Sequence, residues 1–567
     1  MYKLTTLASC LLVFLTACSA IQEPNSVAAT SAVSHIFTNG NVLTVDKGFS
    51  TAESVAIRNN KIVAVGDNEE VMALAGNNTK VIDLSGKTMM PAFIDAHLHV
   101  GAILQFGALI DVGLTKHRTI EEAIDAMKKH GAKAEKGEWL LFKNVDFGTQ
   151  FSNTMTKLTA KTLDQISKEN PVFVIHAGGH ISSVNSKLLE IMKVTKDTPN
   201  PAAGGSFGRY DTGEANGMLY GFATSSALGV IEPFKTVDIN KNIIEVSNDF
   251  LSKGIGTVGD AAVGATGTPN ELDNLERFSA EKKMKFRVRG YLSFGLEKQW
   301  SELGIKPNHG NEKVRIVGYK LLADGSNQAR TGLQRKNYLG KNSHGIHYLT
   351  EEKIYQHIKD KSAKGFQLAI HGNGDASIDN IIAAVKRAKE DNANVIRPRI
   401  EHCSIVQDDQ LQKLIELDIT CSFLIGHVKL WGAAFKNNVF GLEKAEKLDR
   451  TGSFERVGIP YSLHTDNLVT DFSPLEMVEI AVTRELYSEP DYILAPDERA
   501  SREMALRAVT STSAWQLMSE HEVGSIEVGK LADFVVLDGN PLKVELDKIG
   551  LIKVLETWVD GEQVYSR

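Results

Sequence analysis

Two histidines separated by one residue, His97 and His99, follow an apolar run in the stretch PAFIDAHLHV at 91–100. Side chains two positions apart on a strand point to the same face, so Asp95, His97 and His99 would share one face. Two imidazoles placed in this way can hold one metal ion together. Two polar residues beside a loop would produce the same spacing. The motif alone leaves a metal site and an ordinary strand end both open.

More side chains of metal-binding type follow other short apolar runs. Each one alone would fit an ordinary polar residue at the edge of a core, but together they supply imidazoles, a carboxylate and an amine. They are Lys320 in YKLLADGS, His371 in LAIHGNGD, His402 in RIEHCS and Asp466 in LHTDN. Such residues at several strand ends predict one site where the strands converge.

The elements that must position these residues alternate between short strands and helical patterns, as parallel β–α units do. Eight strands predict an α/β fold with a (β/α)8 TIM barrel at 90–515, whose reactive face lies at the carboxyl ends of the strands. The first two strands are too far apart for one connection, which predicts a large cap insertion after strand 1, at about 101–250. The strands lie around residues 91–99, 254–260, 286–292, 315–322, 366–371, 399–403, 419–424 and 459–465.

Both ends of the chain carry short alternating strands with turn residues between them. Neither end is long enough to close a core alone, which predicts one small β-sandwich formed by 35–89 and 516–567 together. The Asn39-Gly40 and Asn59-Asn60 pairs are typical of hairpin turns.

The composition is that of a globular protein, with 42% apolar residues, 23% charged residues and a net charge of −7. These values exclude wholesale disorder and give no general attraction to nucleic acid. Of the four cysteines, only Cys403 and Cys421 lie in the part expected to fold. Both lie in apolar, strand-like runs, which favours buried thiols over a disulfide.

The first twenty residues, MYKLTTLASCLLVFLTACSA, combine Lys3, a short apolar stretch and small residues, as a secretion signal does. The segment LTAC at 15–18 resembles the lipobox of bacterial lipoproteins. This implies a signal peptide at 1–17, a lipid anchor on Cys18, a tether at 18–34 and an exported protein held at the cell envelope, on the periplasmic side or the cell surface. A plain signal cut after Ala17 or Ala20 is the alternative.

Five segments resemble the amidohydrolase superfamily, specifically its YtcJ-like branch (amidohydrolase family 3), and the resemblance covers nearly all of 35–567. It implies the barrel with its sandwich, and a metal-dependent hydrolase acting on a carbon–nitrogen bond, other than a peptide bond, of a small molecule. The segments are MMPAFIDAHLHV, YKLLADGS, FQLAIHGNGDASID, RIEHCSIV and the tail GSIEVGKLADFVVLDGNP.

The same resemblance implies two divalent cations, expected to be zinc. One would be bound by His97 and His99 and the other by His371 and His402. A carboxylated Lys320 would bridge them, because a buried lysine loses its proton readily and its neutral amine can capture carbon dioxide.

Alternatively, Lys320 is unmodified and pairs with Asp324 or Asp466. The resemblance also implies that Asp466 binds the metal, takes a proton from the attacking water and later donates one to the leaving nitrogen.

Four further residues receive weaker assignments. His180, Asp324 and Trp431 are candidate substrate-binding residues, although His180 would equally serve hydrogen bonding within the insertion and Trp431 packing. His464, two residues before Asp466, is expected to lie one layer deeper as a supporting or core histidine.

Strand parity places Glu401 on the face opposite His402.

Deamination, cyclic-amide opening and ester hydrolysis would use the same ligands, and a lipid-anchored binding protein on the same fold is the non-enzymatic alternative. The expected partners are a small-molecule substrate and, through Cys18, a membrane, with no nucleic acid. A homo-oligomer is left open.

Overall fold

The structure is a computed structural model that describes residues 33–147, 149–150, 157–179, 181–201, 205–221 and 223–567. Two of the residues assigned a role above, Cys18 and His180, lie outside the described residues. So do the expected signal peptide and all but the end of the expected tether.

The N-terminal segment consists of short strands and one helix. Asn59 and Asn60 form the predicted hairpin turn between antiparallel strands, and Asn59 adopts a left-handed φ of 56°. The hairpin prediction for Asn39-Gly40 is wrong, because the chain crosses there from one sheet to the other and buries Phe37 and Val42 in the same core. The elements are β1 (His35–Thr38), β2 (Asn41–Leu43), β3 (Thr51–Ala52), β4 (Ser54–Arg58), β5 (Lys61–Gly66), α1 (Asn68–Met72), β6 (Lys80–Asp83) and β7 (Thr88–Pro91).

The first barrel strand, β8 (Phe93–Leu98), is followed by α2 (Val100–Phe106) and then by the predicted insertion. Six strands of the insertion form a sheet in the order β13-β14-β12-β11-β10-β9, with hydrophobic cores of its own on both faces. Its elements are β9 (Ile110–Asp111), α3 (Ile120–Gly131), β10 (Leu140–Val145), α4 (Ala160–Leu163), β11 (Val172–His176), β12 (Ile181–Val184), α5 (Ser186–Ile191), β13 (Gly205–Arg209), β14 (Ala215–Gly221), α6 (Ala223–Leu228) and α7 (Glu232–Lys235).

Seven more parallel strands complete the barrel, each paired with the next along the chain, and β15 pairs with β8. These strands are β15 (Ile255–Val263), β16 (Arg287–Ser293), β17 (Val314–Leu322), β18 (Gln367–Gly372), β19 (Arg399–His402), β20 (Thr420–Phe423) and β21 (Tyr461–Leu463). The helices around them are α8 (Ile239–Ser252), α9 (Asn270–Ala280), α10 (Glu297–Glu302), α11 (Glu351–Ala363), α12 (Asp375–Glu390), α13 (Asp408–Glu416), α14 (Gly432–Ala434), α15 (Leu442–Ala445), α16 (Thr451–Val457) and α17 (Pro474–Thr483).

The barrel closes where the loop after β21 reaches β8. The Asp466 amide donates to the His97 carbonyl at 2.9 Å, and the Thr465 amide donates to Asp95 Oδ1 at 3.3 Å. Asp466 and His97, two of the predicted metal ligands, are therefore joined by a backbone hydrogen bond.

The C-terminal segment returns to the N-terminal sheets. Strand β22 pairs antiparallel with β7, and the six-stranded sheet has the order β24-β23-β22-β7-β2-β3. It packs on the β5-β4-β1-β6 sheet through Phe37, which contacts Phe534 and Trp558 edge-on. The predicted fold class, a barrel with an insertion and a sandwich shared by both termini, is confirmed. The segment's elements are α18 (Arg502–Ala508), α19 (Ser511–Gln516), β22 (Phe534–Leu537), β23 (Val554–Val559) and β24 (Glu562–Ser566).

The prediction of two free thiols is wrong, because Cys403 and Cys421 form a disulfide. Strands β19 and β20 are parallel neighbours in which Ile400 pairs with Cys421, and Cys403 lies one residue beyond β19. The pairing of the strands brings the two α-carbons to 5.8 Å, within the usual range for a disulfide. Apolar surroundings and the spacing along the chain did not reveal that contact.

Among the described residues, no helix is long and apolar enough to cross a membrane.

Candidate active site

The six predicted ligands meet at the carboxyl ends of the barrel strands. Asp466 lies between the imidazoles of His97, His99 and His402. Lys320 lies beside His97, and His371 lies beside His402. The distances from the Asp466 carboxylate are 3.5 Å to His97 Nε2, 3.2 Å to His99 Nε2 and 3.8 Å to His402 Nδ1.

His97 is held by a buried ion pair beneath it. Its Nδ1 donates to Glu401 Oε2 at 2.5 Å, and Arg399 Nε donates to Glu401 Oε1 at 2.5 Å. Although burial opposes ionisation, Arg399 lowers the pKa of Glu401 below its usual value. An ionised acceptor at Nδ1 leaves His97 Nε2 without its proton and directed at the site, which is how a carboxylate orients a metal-binding histidine.

Asp466 sits on strained backbone, with a left-handed φ of 52°. Burial opposes its ionisation, but the neighbouring His97 and His99 outweigh burial and hold the pKa of Asp466 below its usual range. The carboxylate is therefore ionised and available to a cation. Its Oδ1 faces His99 and its Oδ2 faces His402.

Lys320 is fully buried on β17, with Nζ 3.1 Å from His97 Nε2. Burial lowers the pKa of Lys320 to about 8, so a substantial fraction is neutral near physiological pH. Among the described residues, no carboxylate oxygen lies within 4.0 Å of this nitrogen. The alternative pairing of Lys320 with Asp324 or Asp466 is thus absent.

His371 and His402 are neighbours, with ring centroids 4.5 Å apart, and His402 also lies beside His97, with centroids 4.9 Å apart. Asn373 Nδ2 lies 2.9 Å from His371 Nε2, and the Ser404 hydroxyl donates to Asn373 Oδ1 at 2.6 Å. Burial lowers the pKa of His402 far below its usual value. A neutral imidazole is the form that binds a cation.

His464 lies one layer deeper, as expected from its position. Its ring stacks on His97 with centroids 4.6 Å apart, and its Nδ1 lies 2.8 Å from the Ser422 hydroxyl. Its Nε2 lies 3.3 Å from His402 Nδ1. His464 therefore supports two of the predicted ligands from below.

Asp324 lies beneath the site and does not face the open cavity in the described part of the chain. Its carboxylate accepts hydrogen bonds from the amides of Leu333 at 2.8 Å, Asn373 at 3.0 Å and Gly374 at 2.9 Å. These contacts join the loop after β17 to the loop that carries Asn373.

Trp431 lies between barrel and insertion. Its Nε1 donates to Asp146 Oδ2 at 2.8 Å, and it lines a neighbouring cavity of about 250 Å³. The third candidate substrate-binding residue, His180, is outside the described residues.

A cavity of about 340 Å³ opens above the predicted ligands, a size typical of small-molecule sites. Five ligands line its floor: His99, Lys320, His371, His402 and Asp466. The apolar walls come from both the barrel and the insertion, and they include Phe106, Ile175, Leu228, Phe294 and Leu468. The insertion therefore forms part of the pocket.

Glu401 was assigned to the wrong face. His402 and Cys403 both have a left-handed φ, 64° and 49°, so the alternation of a regular strand breaks down at the end of β19. Glu401 and His402 consequently both serve the site. The supporting residues Arg399, Asn373 and His427 were also missed. His427 Nδ1 lies 3.2 Å from the Ser404 hydroxyl that donates to Asn373, and His427 follows an apolar run just as the predicted ligands do.

The donor set fits a divalent cation. His97, His402 and Asp466 each offer one ligand atom, and these atoms lie within 4.8 Å of one another. Buried neutral imidazoles around an ionised carboxylate match the ligands that zinc and similar cations prefer.

The chain matches the family model described as "Amidohydrolase family" over residues 80–565. The chain belongs to this family. The amidohydrolase is 29% identical over 548 residues to N-substituted formamide deformylase of Arthrobacter pascens, covering 93% of this chain and 98% of that protein. It is 23% identical over 541 residues to the putative amidohydrolase YtcJ of Bacillus subtilis strain 168, covering 94% and 99%.

A crystal structure of an uncharacterized metal-dependent hydrolase from Pyrococcus furiosus is similar, with 26% identity and a TM-score of 0.69 over 90% of this chain and 100% of that one. The amidohydrolase is thus a metal-dependent hydrolase of the YtcJ-like branch that acts on carbon–nitrogen bonds.

Proposed function

We propose that this amidohydrolase cleaves an amide-type carbon–nitrogen bond of a small molecule, using two zinc ions bridged by carboxylated Lys320 and Asp466 as general base and acid. One observation carries the proposal: five of the six side chains line the floor of a single cavity of about 340 Å³, and the sixth, His97, is buried directly beside Asp466 at 3.5 Å. The ligands assigned to the cations are His97, His99, Lys320, His371, His402 and Asp466.

Carboxylation of Lys320 fits its surroundings. Burial opposes the charge of the Lys320 ammonium, which has His97 Nε2 at 3.1 Å but no carboxylate oxygen of the described residues within 4.0 Å. Addition of carbon dioxide to the neutral amine, with loss of one proton, replaces it with an anion that offers two oxygen ligands. Such an anion would be the ligand shared by the two cations of the proposal.

Asp466 has the position required for proton transfer. A divalent cation at these ligands supplies a water of lowered pKa and polarises the substrate carbonyl. Asp466 Oδ1 lies closer to the surrounding imidazoles than Oδ2 does, at 3.2 Å from His99 against 3.8 Å between Oδ2 and His402, and we assign Oδ2 to accept the proton of the attacking water. The same oxygen then returns a proton to the leaving nitrogen, and the apolar walls exclude bulk water.

The relative from Arthrobacter pascens suggests the first substrates to test. Its name describes hydrolysis of N-substituted formamides, and we propose this class as the starting panel, with longer acyl groups, cyclic amides, aminopyrimidines and esters beside it.

The experiment measures metal content by elemental analysis and hydrolysis by amine release, using the chain purified without chelator. We expect about two divalent ions per chain, with metal lost in Lys320→Met. We expect Asp466→Asn to lower kcat by at least about 100-fold. A chain that binds no metal after reconstitution with zinc or manganese would contradict the proposal and favour the binding protein. Turnover of esters or aminopyrimidines without turnover of amides would contradict amide hydrolysis and show that the site catalyses ester hydrolysis or deamination instead.

We further propose that the protein is exported and anchored through a lipid on Cys18, a proposal supported by the lipobox-like LTAC segment at 15–18. Fractionation of cells after fatty-acid labelling tests it. Label and membrane association should both be lost in Cys18→Ala, and a soluble, unlabelled native protein would exclude the anchor.

A further inference from the structure

Lys143 is a cation in the wall of the active-site cavity, on strand β10 of the insertion. Among the described residues lining that cavity, Lys143 and Lys320 are the only lysine or arginine side chains. Lys320 is committed to the ligand set at the floor. Lys143 therefore supplies the remaining positive charge in a cavity whose walls are mostly apolar.

An irregularity in the backbone of β10 explains why Lys143 and Asn144 both face the cavity. The register between β10 and β11 shifts at Asn144, which has a left-handed φ of 72°. In a regular strand Lys143 and Asn144 would point to opposite faces, but a bulge re-aims side chains, and here both residues line the cavity. Asn144 adds an amide that has no hydrogen-bond partner among the described residues.

No carboxylate of the described residues pairs directly with the Lys143 ammonium. Its Nζ donates to the Gly107 carbonyl at 2.7 Å, and no carboxylate of the described residues lies within 4.0 Å. The carboxylates that act on it from farther away have partners of their own: Asp471 pairs with Lys253 at 2.7 Å, and Asp111 accepts from the Gly113 amide at 2.8 Å. A half-buried ammonium in this setting stabilises an incoming anion.

The position of Lys143 also gives the size of the ligand. Helix α2 runs from His99, which precedes it, to Gly107, which follows it and holds Lys143 Nζ. A helix of 7 residues is about 10 Å long. The cation thus lies on the order of 10 Å from the predicted metal ligands, with apolar wall between them.

We propose that Lys143 and Asn144 bind a carboxylate at the far end of the substrate, so that the substrate is an amide with an apolar body and a terminal carboxylate. The inference rests on the proposed hydrolase function and names its substrate class. A single ammonium beside one amide suits a singly charged carboxylate. A phosphate dianion would require several more donors.

The test compares matched substrates in the full-length, metal-loaded protein. One substrate is an N-acylated ω-amino acid and the other is the N-acylalkylamine of equal chain length. Lys143→Met should lower kcat/KM for the carboxylated substrate by roughly tenfold to a hundredfold, because the variant loses a charged hydrogen bond. The value for the neutral substrate should change little. Lys143→Arg should retain most of the preference. Lys136→Met, at an exposed lysine of the same insertion, is the control and should change neither value.

A calorimetric titration with hexanoate and hexanol separates this inference from the proposed function. If the wild-type protein hydrolyses neither substrate but binds hexanoate at least tenfold more tightly than Lys143→Met does, the anion site stands and the hydrolase proposal fails. If amides are hydrolysed but Lys143→Met changes neither the substrate preference nor hexanoate binding, the inference is overturned and the hydrolase stands. An equal loss on both substrates, or no hexanoate binding by the wild-type protein, also overturns it.

Discussion

His97 Nδ1 and Glu401 Oε2 lie 2.5 Å apart inside the barrel, and both residues are fully buried. This contact fixes which nitrogen of His97 would face a cation. It also joins a proposed metal ligand to the Arg399–Glu401 ion pair, so that the orientation of His97 and the stability of the barrel should depend on the same carboxylate.

Replacement of Glu401 by Gln should therefore have two effects. Loss of the charged acceptor at His97 should lower the affinity for zinc by about 10- to 100-fold. The buried Arg399 guanidinium would lose its counter-charge, at a cost of about 3–5 kcal/mol in the free energy of unfolding. Zinc titration with a competing chelator and urea unfolding measure the two quantities.

Glu498→Gln is the matched control for this experiment. Glu498 forms a similarly buried ion pair with Arg450, at 2.9 Å, away from the ligands. Glu498→Gln should lower the free energy of unfolding without changing the affinity for zinc. Equal zinc affinities in wild type and Glu401→Gln would show that the carboxylate does not orient His97.

The second prediction concerns Asp324, which accepts three amide hydrogen bonds beneath the site. In Asp324→Asn one carboxylate oxygen becomes an amino group, which cannot accept from the facing amides. The unsatisfied donors should cost roughly 1–3 kcal/mol and loosen the loop of Asn373, which contacts His371. Urea unfolding and metal content check this, and we expect the loss of metal to be confined to about one ion per chain. If stability and metal content are unchanged and only KM rises, Asp324 instead contacts the substrate.

Much of this architecture is predictable from the sequence because apolar runs mark barrel strands. The strand expected around 315–322 forms as Val314–Leu322, and the one expected around 366–371 as Gln367–Gly372. Parallel strands share one polarity, so residues that follow them meet at one edge. That rule alone gathers His97, Lys320 and His371 without knowledge of any contact.

The remaining features depend on the backbone and on neighbouring strands. Glu401 shares the site with His402 because the φ of His402 is left-handed, which no strand pattern encodes. The disulfide of Cys403 and Cys421 arises from pairing between two strands. Asp324 was a candidate substrate-binding residue by position, yet three backbone amides donate to its carboxylate. Such contacts are set by tertiary packing.

A third prediction addresses the link between the insertion and the barrel. Trp431 Nε1 donates to Asp146 Oδ2 at 2.8 Å in a buried contact. Trp431→Phe keeps the apolar ring but removes the donor, and should lower the free energy of unfolding by roughly 1–3 kcal/mol. A double-mutant cycle with Asp146→Asn isolates the pair. A coupling energy near zero would mean that the contact does not hold the insertion in place.

The final prediction concerns metal removal. The proposed ligands include His97 and His402, whose pKa values burial lowers, and Asp466, whose pKa is held below its usual range. They come together from distant parts of the chain, so an unfolded chain offers no equivalent site and a cation should bind the native state selectively. At a free zinc concentration about 1,000 times Kd, such binding adds about 4 kcal/mol to the free energy of unfolding. Dialysis against a chelator should thus lower Tm, and zinc should restore it. The same treatment of His97→Ala should change Tm far less, because that variant lacks the ligand fixed by Glu401. Identical Tm shifts in His97→Ala and wild type would indicate that the stabilising cation binds elsewhere.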